Sequence, residues 1–227
     1  MRRVRLGALL AVGLMLVVTG CGRVVNGTAG ADPYTPGTAI TADGYGITAG
    51  DPAAPIHIEL YIEPHCVPCT QLEGQSGPQL QNLIERGELA VTYRPLTFAD
   101  QSSGGFPARI MNALFIAAGY GTSGSAFQAF VANIWGHEDP SGPGPTDAEL
   151  AAMADSSHVG PGAVTRIESG RTVLNADDMA AENAHRLQQV MPNLASTPAV
   201  YDLYLDKLVD TNRNDWLTKL MSSKVTT

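Results

Sequence analysis

Basic residues are in short supply in this chain: 14 lysines and arginines face 22 acids, for a net charge of −8 over 227 residues. A nucleic-acid binder needs a basic face to meet phosphate, so that class is excluded. Cysteine is scarcer still. There are three, and two of them, Cys66 and Cys69, stand three positions apart. A structural zinc site wants four ligands and usually a second such pair, which the chain lacks. Haem attachment needs a histidine directly after the second cysteine, and Thr70 is there instead. No internal repeat is visible. Hydrophobic residues still make up 44% of the chain, enough for one core or for a core with a large insertion.

The N-terminus, "MRRVRLGALLAVGLMLVVTGC", puts three arginines before an apolar run from Leu6 to Val18 and small residues before Cys21. That is the order of an export signal, and the run is short for the alternative, an uncleaved spanning helix. "VTGC", Val18 to Cys21, resembles the bacterial lipobox, in which the chain is cut before a cysteine that then carries lipid. The resemblance implies a signal peptide over residues 1–20 and lipidation of Cys21. Removing residues 1–20 takes away three arginines and no acids, moving the charge from −8 to −11. Two acyl chains would hold such a protein on a membrane whose anionic surface repels it. Residues 21–43, rich in Gly, Thr and Ala, are expected to form a flexible tether.

Export governs how the remaining cysteines are read. Outside the cytoplasm disulfides persist, and with Cys21 lipidated only Cys66 and Cys69 are left to pair. As a staple this pair would close a very small loop and stabilise little. Its position is more telling. "APIHIELYIEP" alternates Ile56, Ile58, Leu60 and Ile62 against His57, Glu59, Tyr61 and Glu63, a strand pattern that ends just before "HCVPC". A helix follows, with Leu72, Leu80, Leu83 and Ile84 at helical spacing, Gly87 at its end, and a kink expected at Gly77-Pro78. A cysteine at a helix N-terminus meets unpaired N–H groups and the positive end of the dipole, which favour thiolate. Cys66 is therefore expected to be exposed and reactive, and Cys69, one turn on, buried and resolving. Pro68 fits the first helical turn, where a missing N–H costs nothing. His65 as an imidazolium would stabilise the thiolate, but the plainer reading is an exposed, mostly neutral loop histidine. Metal handling by Cys66, Cys69 and His65 as soft ligands is an alternative use of the same residues.

Downstream, "GYGITAG" reads as a short edge strand and "ELAVTYRPL" as a full one. Residues 107–186 form a helical block in which Thr146 and Glu149 have capping-box spacing. Phe115, Phe127, Phe130 and Trp135 are expected in its core. The stripe Ala180, Ala184, Leu187, Met191 marks its last helix. "PAVYDLYLDKLVD" returns to strand character, and "RNDWLTKLMSS" ends the chain as a helix. Strands separated by helices favour an α/β sheet.

From residue 44 onward this order resembles the DsbA-like branch of the thioredoxin superfamily. Three features carry the likeness: "CVPC" directly after a strand, the helical block, and "STPAV" from Ser196 to Val200. The resemblance implies an α/β thioredoxin-like fold over residues 44–106 and 187–227, with residues 107–186 as an all-helical insertion. It implies a cis Pro198, preceded by Thr197, facing a redox-active disulfide that serves in place of any cofactor or metal. It further implies thiol–disulfide exchange with exported, cysteine-containing clients and a membrane redox partner that recycles the disulfide. Many relatives bury an acid six residues before the first cysteine as a proton relay. Leu60 stands there, which leaves Glu63, His65 and water as candidates for proton transfer. Val67-Pro68 departs from the Pro-His habit of DsbA-type oxidases, so the direction of electron flow stays open. A thioredoxin-fold binding module without redox activity is the remaining alternative.

Overall fold

The computed structural model describes residues 36–97, 105–119, 121–137, 139, 142–193 and 195–223. The expected signal peptide, Cys21 and the first part of the tether lie outside these residues.

Among the described residues six strands form one sheet in the order β1-β2-β4-β3-β5-β6. They are β1 (Thr38–Ile40), β2 (Ile47–Ala49), β3 (Ile56–Ile62), β4 (Leu89–Pro95), β5 (Ala199–Asp202) and β6 (Lys207–Leu208). β3 and β4 run parallel, joined by helix α1 (Val67–Glu85), and every other pairing is antiparallel. α1 is continuous through Pro78 and buries a single stripe: Cys69, Leu72, Glu73, Ser76, Gly77, Leu80, Leu83 and Ile84. That three-and-four spacing is what lays one helical face on a sheet.

Between β4 and β5 come α2 (Phe106–Ala117), α3 (Gly124–His137), α4 (Asp147–Ser156), α5 (Pro161–Glu168) and α6 (Ala176–Val190). α4 opens with the expected capping box: Thr146 Oγ1 accepts from the Glu149 N–H, and the Glu149 carboxylate accepts from the Thr146 N–H. Phe115, Phe127, Phe130 and Trp135 are all buried in the main core. α7 (Trp216–Ser222) closes the chain against α1, where Trp216 Nε1 donates to Ser76 Oγ at 3.0 Å.

Three expectations need correction. The tether does not extend to residue 43, because Thr38–Ile40 pairs along β2 as an edge strand. For the same reason β2 is not an edge strand. Its unpaired groups are satisfied by β1 on one side and β4 on the other. The β3 alternation concealed a second buried face. Ile58, Leu60 and Ile62 enter the main core, while Tyr61 packs with Leu96, Leu187 and Ala199 beneath α6. Glu59 on that face is 3% exposed and lies in a charged cluster: Arg94 Nε reaches it at 2.9 Å, Arg186 Nη2 at 3.1 Å, and Tyr61 donates its hydroxyl at 2.7 Å. A buried carboxylate is tolerable only with such partners. Asn183, also on α6, is fully buried and donates to the carbonyls of Tyr45 and Pro95.

Candidate active site

β3 ends at Ile62, and the chain reaches Cys66 through Glu63, Pro64 and His65. His65 has a φ of 67°, in the left-handed region. Few non-glycine residues adopt that conformation, and here it lies where the chain turns from β3 into α1. The reversal turns Cys66 into the N-cap of α1, in extended backbone, so the helix begins at Val67. The Cys66 carbonyl accepts from the N–H groups of Cys69 and Thr70 at 2.8 and 3.1 Å, and its sulfur accepts from the Cys69 N–H at 3.2 Å. No acidic side chain stands in the first turn, so nothing there neutralises the positive end of the helix. Cys66 and Cys69 are joined in a disulfide with their Cα atoms 5.2 Å apart. Cys69 is fully buried, Cys66 is half-buried, and Val67 and Pro68 are exposed beside it.

A second segment arrives from 131 residues away. The Thr197–Pro198 peptide is cis, and the Thr197 hydroxyl donates to Cys66 Sγ at 3.3 Å. The turn before β5 thus lies against Cys66, and a groove of about 470 Å³ opens beside it. Pro68, Gln71 and Gln75 of the α1 segment, Thr197 and Pro198, and Asn212 before α7 all line the groove. On the opposite flank, the His65 ring meets Phe106 edge-on at 4.3 Å, and Trp135 Nε1 donates to the Glu63 carbonyl at 3.3 Å. His65 is therefore half-buried against the helical block rather than an exposed loop residue, and the Glu63 side chain is buried too.

A family model described as thioredoxin matches residues 42–202, which includes both cysteines and the cis proline. The chain belongs to the thioredoxin family. Among solved structures, this thioredoxin-family chain resembles MdbA, a thiol–disulfide oxidoreductase from Corynebacterium matruchotii. The TM-score is 0.67 at 21% identity, over 82% of this chain and 92% of that one. DsbA from Mycobacterium tuberculosis, in its reduced form, matches with a TM-score of 0.59 at 19% identity, over 79% and 88%. At these identities the likeness establishes a DsbA-like fold. The chain is also 26% identical over 181 residues to the serine/threonine-protein kinase PknE of Mycobacterium tuberculosis. That match covers 78% of this chain and 31% of the kinase, so this chain spans less than a third of that relative's length.

One buried acid on the helix that carries this thioredoxin-family site has no counterpart among the candidates drawn from sequence. Glu73, one helical turn beyond Cys69, is 1% exposed. Its Oε2 accepts from Gln128 Nε2 at 2.7 Å, and the Gln128 carbonyl oxygen accepts from the Tyr93 hydroxyl. Oε1 is buried without a hydrogen-bond partner. Burial pushes the Glu73 carboxyl up to about 7, and the bond from Gln128 offsets only part of that rise. In sequence, Glu73 sits in "QLEGQSGPQ", where a charge reads as a solvated helix face. The one available signal was its place on the Cys69-Leu72-Ser76-Leu80 stripe.

Proposed function

We propose that this protein is an extracytoplasmic, lipid-anchored thiol–disulfide oxidoreductase acting on exported proteins with cysteines. The observation that carries the reading is the Cys66–Cys69 disulfide at the head of α1, with one sulfur accessible, one buried, and a cis-proline turn facing the accessible one. A client thiolate attacks Cys66 Sγ, the disulfide breaks, and the electron pair moves to Cys69. A second client thiol then attacks the mixed disulfide, and Cys66 leaves as thiolate. The client loses two electrons and the cysteine pair gains them; the reductase direction is the reverse. In the oxidase direction Cys69 is the leaving thiolate, in the reductase direction it resolves the mixed disulfide, and in both the backbone at Thr197 and Pro198 supports an extended client segment laid in the groove. A membrane redox partner returns the pair to its starting state. The domain division that goes with this reading places the thioredoxin-like part in residues 44–106 and 187–227, with β1 added ahead of residue 44, and the insertion in 107–186.

Cys69→Ser tests the proposal. Without its resolving thiol, Cys66 should accumulate client proteins as adducts that a reducing agent releases. Absence of such adducts in cells, together with a purified wild-type chain that neither oxidises nor reduces a model substrate, overturns it. Equilibration against glutathione reads the direction of flow: ~−120 mV marks a strong oxidant and ~−270 mV a reductant.

A further inference from the structure

The groove beside the disulfide has a charge pattern of its own. Leu72, Val209 and Trp216 give it an apolar lining. To this α1 adds the exposed amides of Gln71 and Gln75, and the segment before α7 adds those of Asn212 and Asn214. A side-chain amide offers both donors and an acceptor, so it pairs with the backbone of an extended segment whatever that segment's sequence. Against this neutral lining stands a single charge. Among the described residues, Asp210 is the sole charged residue lining the groove, and no lysine or arginine joins it.

Strand pairing fixes where that charge lies. Tyr201 of β5 faces Leu208 of β6, and the Val209 N–H donates to the Val200 carbonyl at 2.8 Å, so the pairing runs on toward the cis proline. The same register brings Asp210 alongside Ala199, the residue after Pro198. Asp210 Oδ1 accepts from the Asn212 N–H and from Asn212 Nδ2, both at 3.2 Å, which holds the carboxylate in one pose. The basic residues nearby are engaged elsewhere. Arg213 is near enough for Asp210 to favour its charged form, yet its guanidinium pairs with Asp215, as does Lys219. These two and Lys207 line a neighbouring pocket, which shares Leu208, Val209, Asp210 and Trp216 with the groove.

We propose that Asp210 sets the substrate class of this site: client segments with a lysine or arginine beside the reacting cysteine are taken in preference to segments with an acid there. The inference rests on the oxidoreductase reading above and makes Asp210 its specificity residue. A cation on a segment laid past Pro198 meets the Asp210 carboxylate against apolar walls, where a field is screened less than in open water. An acid in the same place meets like charge. The net charge of −8 acts in the same sense at longer range, drawing basic clients and repelling acidic ones.

The test uses the full chain in a Cys21→Ser background and three peptides, each with two cysteines, that differ only in carrying Lys, Gln or Glu beside the first. They are offered reduced to the oxidised chain and disulfide-bridged to the reduced chain, and the direction that proceeds is timed. In the first case the two peptide thiols lose two protons and two electrons to the Cys66–Cys69 disulfide; in the second the transfer reverses. Each rate is divided by the same peptide's rate with glutathione in the chain's redox state, which removes the neighbour's effect on the cysteine itself. The Lys peptide should react about threefold or more faster than the Glu peptide, with Gln between them. Asp210→Asn keeps an acceptor for Asn212 and should bring that ratio below about twofold, while Asp210→Lys should invert it. Equal wild-type rates, or a preference that Asp210→Asn leaves unchanged, overturns the proposal. A wild-type chain that exchanges with none of the peptides in either direction overturns the oxidoreductase reading instead.

Discussion

Glu73 shows how the burial of a single residue couples stability to pH. Its folded-state value of about 7 lies above the ordinary 4.5 of a glutamate, so the fold prefers the protonated form. Below pH ~4.5 both folded and unfolded chains are protonated there, and no penalty exists. As pH rises, the unfolded chain ionises first and the fold loses stability until Glu73 itself ionises near 7. Over that interval the loss amounts to about 3 kcal/mol, at roughly 1.4 kcal/mol per unit. Denaturant titrations of wild type and Glu73→Gln should therefore agree at pH 4 and diverge above pH 5, with the variant the more stable. Parallel curves at both pH values would mean that Glu73 is solvated.

At the scale of elements, the site depends on how closely α1 and α3 approach each other and the sheet. Gly77 lets them meet: a Cβ added there would stand 3.1 Å from Glu73 Oε2 and 3.3 Å from the Ala132 Cβ. At the start of α3 the contact is tighter still. A Cβ on Gly124 would stand 2.6 Å from the Gly50 nitrogen and 2.8 Å from Ile84 Cγ2. Gly124→Ala must push α3 off the sheet and α1, at a cost of about 1–3 kcal/mol by overpacking. Thermal unfolding checks this, and an unchanged midpoint would contradict it. Most elements were legible in the sequence. The period-two runs gave β3 and β4, and the apolar stripe of α1 and the capping box of α4 arise from neighbours along the chain. β1 was not legible. "TAI" is too short to show a period and becomes a strand only because β2 offers it an edge. The buried polar Asn183 was passed over within α6, because its two carbonyl partners come from the end of β4 and from the Tyr45 loop, 88 and 138 residues away.

At the scale of the whole molecule, the proposed function places an acidic domain with an accessible disulfide at a surface that its own charge would avoid. Under the proposed function, Cys21→Ser should remove acylation and move the protein from the membrane fraction to the soluble fraction after osmotic lysis. The Cys66–Cys69 activity in solution should be unchanged. A variant that stays with the membrane would show that the apolar segment from Leu6 to Val18 is itself the anchor. Among the described residues no helix is long and apolar enough to cross a membrane.

By itself, the sequence determined the cysteine spacing, the strand that ends just before the cysteines and the helix that begins between them. These follow from side-chain period, from proline at the first turn and from capping, all of which act within a few residues. It also determined that one cysteine should be reached before the other, since a helix N-cap is open and its next turn is not. Only the tertiary structure decided what surrounds those sulfurs. The Thr197 hydroxyl comes to Cys66 across 131 residues, Gln128 comes to Glu73 across 55, and Phe106 closes on His65 from the helical block. Each of these contacts depends on a sheet whose strand order brings β5 beside β3, and on helices laid over both faces of that sheet. Desolvation, which turns an ordinary glutamate into a group that titrates near neutrality, is a property of that packing and not of the residue.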